Sequence, residues 1–89
     1  YMAGDYTHSN LVVTAIGTDG QKPDGTVKVN STVYTKPIET TVNQILTLEA
    51  TDGTNYKFVN WSNGKTDKKI QLTASGMPIG LTAFFKKNG

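Results

Sequence analysis

The 89-residue chain contains no cysteine, which excludes disulfides, thiolate metal sites and cysteine nucleophiles together. Arginine is absent too: all nine basic residues are lysines. Bidentate readout of guanine or phosphate is mostly arginine chemistry. The lysines are scattered except for Lys68-Lys69 and Lys86-Lys87, and they form no basic stripe with interleaved aromatics, so nucleic acid is not an expected partner. His8 is the only histidine, and alone it makes neither a metal cage nor a catalytic dyad. No apolar run reaches the roughly 18–20 residues of a membrane span, so membrane insertion is not expected. The start of the chain lacks the basic-then-apolar layout of a leader peptide. Segments rich in Ala, Leu, Glu and Gln, which favour helix, are missing as well.

Strand and turn formers take their place. Threonine occurs fourteen times and valine seven, with nine glycines and seven asparagines; the first two suit pleated, half-buried strands and the last two suit turns. Thr26-Val27-Lys28-Val29-Asn30 alternates with the valines inward, Ile45–Ala50 with Leu46, Leu48 and Ala50 inward, and Lys68–Ala74 with Ile70, Leu72 and Ala74 inward. Leu11–Ile16 is strand-like but too evenly apolar to fix its inner face. Val33–Lys36 is a weak strand stopped by Pro37, and Glu39–Gln44 reads as a connection with room for one helical turn. Tyr56–Trp61 is an aromatic strand closed by Ser62-Asn63-Gly64, and Asn-Gly is a strong hairpin signal. Leu81–Phe85 closes the pattern. About seven short strands separated by turns predict an all-β fold, a small antiparallel β-sandwich of immunoglobulin-like type. The expected organisation is an N-terminal segment or linker over 1–9, one sandwich module over 10–87 and a tail of 88–89. The predicted core includes Val27, Val29, Leu46, Leu48, Phe58, Trp61, Ile70, Leu72 and Phe85.

Ile45-Leu46-Thr47-Leu48-Glu49-Ala50, Tyr56-Lys57-Phe58-Val59-Asn60-Trp61-Ser62-Asn63-Gly64 and Leu81-Thr82-Ala83-Phe84-Phe85 together carry a family pattern. They resemble the divergent internalin-type B repeat, a bacterial surface-protein repeat also found in secreted multidomain proteins and some phage structural proteins. Asn60 stands where that pattern has glycine before the tryptophan, and the closing strand differs slightly in spacing. The resemblance implies a non-catalytic structural or adhesive module on a cell surface or virion, spacing or presenting neighbouring domains of a larger chain. It supplies no catalytic residues to carry over.

Phe58 and Trp61 are three positions apart and point to opposite faces of an extended strand unless a bulge intervenes. If Trp61 is outward, it forms an aromatic platform for a glycan with Tyr56 or Tyr34, while Asn60 and Asn63 hydrogen-bond the sugar hydroxyls. If it is inward, it is a core residue. The turn acids Asp19, Asp24 and Asp52 with Asn55 are too dispersed for a calcium loop and read as ordinary turn residues. Glu39 and Glu49 show no acid/base arrangement, and no phosphate-binding or serine-nucleophile motif is present. No enzymatic activity and no cofactor are therefore expected. Lys28, Lys36, Lys68 and Lys69 are candidate guards of sheet edges.

Overall fold

The computed structural model describes residues 8–88 and contains no helix among them. Eight strands run in the order β1 (His8–Gly17), β2 (Thr26–Val29), β3 (Thr32–Val33), β4 (Ile38–Thr41), β5 (Ile45–Thr51), β6 (Tyr56–Trp61), β7 (Lys69–Thr73) and β8 (Ile79–Lys87). They form two four-stranded sheets, β4-β1-β8-β6 and β3-β2-β5-β7. The fold is the expected all-β sandwich.

Alternation decides which side chains fill the space between the sheets. Val27, Val29, Leu46, Leu48, Ala50 and Ile70 come from the second sheet; Leu11, Val13, Trp61, Leu81, Ala83 and Phe85 come from the first. Phe58 and Leu72 pack against this core from partly buried positions. On the outer face of the second sheet, Val33, Lys28, Glu49 and Lys69 lie side by side in register, with alternating charge across the last three.

Several local expectations change once the strands find their partners. The segment Glu39–Gln44 is not simply a connection, because Ile38–Thr41 is a strand that pairs antiparallel with His8–Leu11. Its β-branched residues Ile38 and Thr40 face inward, and Thr40 is the buried polar side chain of the core. The pairing also makes His8 and Ser9 part of β1, two residues inside the expected N-terminal linker; residues 1–7 lie outside the described residues. At the other end, Asn88 is tied to the loop before β6, its main-chain N–H donating to Asn55 O at 2.7 Å.

Asn63-Gly64 forms a turn, with Gly64 at φ +91°. It joins strands of different sheets, however, since β6 pairs with β8 and β7 with β5. The tight hairpin of the fold is Asn30-Ser31, with φ values of 51° and 72°, between the paired residues Val29 and Thr32. Two consecutive positive φ angles are what a two-residue hairpin of the primed type requires. Lys28 lies on an inner strand between β3 and β5 and guards no edge, whereas Lys69 lies on the edge strand β7.

One pair departs from antiparallel pairing. β1 and β8 run parallel over seven consecutive pairs, from Leu11 with Ile79 to Gly17 with Phe85. The chain therefore enters β1 at one end of the sandwich and leaves β8 at the opposite end.

Candidate functional site

β6 carries most of the residues singled out in the sequence, and a bulge decides their roles. The register with β8 shifts between Phe58 and Asn60, which puts Val59 out of line. An extra residue restores the inward direction three positions after Phe58, so Tyr56, Phe58 and Trp61 all face the core. The Phe58 ring lies 5.1 Å from that of Trp61 and 5.8 Å, edge-on, from that of Phe85. Trp61 is fully buried, and its indole N–H donates to the Asp67 carbonyl at 2.7 Å. A ring enclosed in this way has no face to offer a ligand.

The other platform candidates are dispersed. Tyr56 is buried at 8% exposure, and its hydroxyl donates to Asp19 Oδ2 at 2.9 Å. The Asn60 amide donates to the Trp61 carbonyl at 3.0 Å. Asn63 is spent in its own turn, its Oδ1 accepting the Lys65 N–H at 3.0 Å. Tyr34 is half-buried just beyond β3, on the opposite side of the sandwich from β6. The platform proposed for Trp61 with Tyr56 or Tyr34 is not assembled in this fold, because core packing claims the two largest rings.

The turn acids act as loop ties. Asp19 accepts the Gln21 N–H as well as the Tyr56 hydroxyl. Asp24 Oδ2 accepts the Asn55 main-chain and side-chain N–H groups at 2.8 and 3.2 Å. Asp52 accepts the Phe58 N–H at 2.9 Å and the Lys68 ammonium at 2.8 Å. Among the described residues no three metal-ligating side chains come together.

These ties set the pH response. The Gln21 N–H, with help from the Tyr56 hydroxyl, holds the Asp19 carboxyl below its ordinary value. The Lys68 ammonium and then the Phe58 N–H do the same for Asp52. Both groups bind protons less readily folded than unfolded. Their stabilising contribution is complete above the ordinary carboxylate pKa of about 4 and is lost as pH falls through the lower folded values. Tyr56 has the opposite sign: the Asp19 carboxylate raises its pKa, so its contribution is complete below 10.0 and is lost as pH rises through the folded value. Thermal melts should therefore show a midpoint that drops below about pH 4. An Asp19→Asn, Asp52→Asn double variant should melt lower at neutral pH and with a flatter acid limb; an unchanged acid limb would contradict the assignment.

A feature the sequence did not disclose lies on the other flank. Val13 and Ala15 of β1, Val27 of β2, and Val33 and Tyr34 line a side opening of about 210 Å³ between the sheets. Of these, only Tyr34 stands out in the sequence as a candidate ligand-binding residue; the rest resemble any other strand residues. Compared with family models, curated proteins and solved structures, the chain matches none of them.

Proposed function

We propose that this domain is a non-catalytic structural module of a larger bacterial cell-surface or virion-surface protein, a bead that spaces or presents its neighbours and carries tension between them. The observation behind this reading is the parallel β1–β8 pair, with its seven-residue register and with the start of β1 and the end of β8 at opposite poles. Force applied through the two ends runs along the strands. It then loads the whole ladder in shear, so that its hydrogen bonds must fail together rather than one after another. The fully buried Trp61 and Phe85 lock the same sheet onto its partner. Its partners in this reading are the adjoining domains of the parent chain, and its place is outside the cell or on the virion. A glycan-binding alternative loses the rings of Trp61 and Tyr56 and retains only Tyr34 among its proposed aromatics.

Single-molecule pulling tests this reading cleanly, because the chain has no cysteine to compete with an engineered one. Handles at the two chain ends shear the β1–β8 ladder. Handles at the N-terminus and at Met77→Cys, an exposed position just before β8, unzip it from one end. The end-to-end geometry should unfold at a clearly higher force. Equal forces in the two geometries would remove the tension-bearing role.

A further inference from the structure

The long strand β1 outruns its short neighbour. Its pairing with β4 stops at Leu11 opposite Ile38, and beyond that point β1 has, among the described residues, a partner only on the β8 side until its last residue. There the Gly17 N–H turns to Gln21 O at 2.8 Å, while the Thr18 N–H turns the other way to Phe85 O at 2.7 Å. Main-chain groups alternate sides along a strand. Val13 and Ala15 therefore direct their N–H and C=O groups away from β8, into the gap between the end of β4 and the Gln21 turn.

The other flank of that sheet is closed differently. Around β6, the Tyr56 carbonyl accepts the Gly53 N–H, Phe58 donates to the Asp52 side chain, and Trp61 donates to Lys65 O. In the second sheet, the free edge of β7 carries Lys69, and the opening beside it is lined by Lys65, Asp67, Lys69, Ile70 and Gln71, mostly polar side chains. The gap beside β1 combines main-chain groups that have no partner among the described residues with the apolar cleft of about 210 Å³. Among the described residues, Lys22 is the only charged residue lining that cleft, and no carboxylate lines it.

We propose that this gap is a strand-acceptor site, filled by a short extended peptide segment of another chain that continues the line of β4 antiparallel to β1. Adding a strand to an exposed edge supplies affinity through main-chain hydrogen bonds and selectivity through the pockets for alternate side chains. Here the two guest residues opposite Ala15 and Val13 exchange hydrogen bonds with them and point their side chains into the cleft. The residue between them, opposite Thr14, points outward. The cleft volume and lining select two mid-sized aliphatic side chains. Lys22 follows Gln21 at the Gly17 end of the gap, where an antiparallel guest enters, and it selects a carboxylate just before the first aliphatic residue. The recognised pattern is acidic–aliphatic–polar–aliphatic. This inference stands apart from the tension-bearing role, since the acceptor edge exists whether or not the chain ends carry load.

Amide-resolved NMR tests it on the intact chain. In the free protein, the Val13 and Ala15 amides should exchange with solvent faster than those of Thr14 and Ile16, although Val13 is only 7% exposed. Titration with acetyl-Glu-Val-Thr-Val-amide to millimolar concentration should give one saturable set of shifts at Val13, Thr14, Ala15 and Tyr34, and should slow exchange at Val13 and Ala15. The counterpart peptide beginning with lysine should bind more weakly, and Lys22→Glu should reverse that preference. Equal protection of the four strand amides in the free protein would overturn the proposal, as would absence of a saturable shift at these residues. Concentration-dependent shifts of the same amides without peptide would overturn it in favour of self-association of the chain.

Discussion

Replacing Trp61 by alanine is expected to destabilise the domain by about 3–5 kcal/mol, the range for deleting a large buried aromatic. The side chain has no exposed surface, packs at a tilt against Phe58 with ring centroids 5.1 Å apart and donates its indole N–H to Asp67 O. Alanine removes the ring, leaves a cavity that the flanking strands cannot close, and strips the Asp67 carbonyl of its donor. Trp61→Phe separates these contributions: it keeps much of the apolar volume but loses the donor, a step worth about 1–3 kcal/mol. Denaturant titrations of the three proteins measure both, with fluorescence of the single tryptophan reporting the wild type and circular dichroism the variants. The native emission should be blue-shifted and poorly quenched by acrylamide. A loss below about 1 kcal/mol for the alanine variant, or a readily quenched native tryptophan, would place the ring at the surface and restore the glycan platform.

Gly25→Ala should damage the core, costing about 1–3 kcal/mol through overpacking. A Cβ at Gly25 meets the edge of the Phe85 ring and approaches Thr51 O to 2.9 Å. The ring has little freedom to withdraw, because Phe85 is fully buried and packed edge-on against Phe58 at 5.8 Å. Gly80→Ala is the matched control. A Cβ there touches nothing within 4 Å, and glycine within a strand is entropically costly, so alanine should stabilise by about 0.5–1 kcal/mol. Parallel chemical unfolding of the two variants checks the contrast. If both shift stability in the same direction, close packing of Phe85 on the β2 entry is not what holds this corner.

The two substitutions differ in how visible their reasons are in the sequence. Trp61 sits in an aromatic strand, and its choice between core and surface turns on the face it presents. Local alternation puts it opposite Phe58, and only the bulge at Val59 brings both rings inward. The bulge forms because β6 lies against β8, where Phe85 and Ala83 stand opposite Phe58 and Trp61, and burying both rings outweighs one irregular ladder position. Gly25 gives no signal at all, because its constraint is a phenyl ring sixty residues later in the chain. The candidate glycan residues failed as a set for a similar reason. Their chemistry suited a sugar, but the topology divides them between opposite flanks and fills the core with the largest rings.

What the sequence determined by itself follows from period-two alternation and turn chemistry, both short-range. The inner faces of β2, β5 and β7 are legible in Val27 and Val29, in Leu46 and Leu48, and in Ile70 and Leu72, because a one-residue slip would expose each whole set. The absence of helix formers and the wealth of threonine and valine likewise specify strands. Tertiary structure alone decided the inner face of the evenly apolar β1, the strand at Ile38–Thr41, the parallel β1–β8 pair and the uncovered edge at Val13 and Ala15. Each of these depends on which strand lies beside which. Main-chain hydrogen bonds are the same for every residue pair, so sequence marks where strands form far better than it marks their neighbours. Partner choice is settled by how two whole faces fill one core.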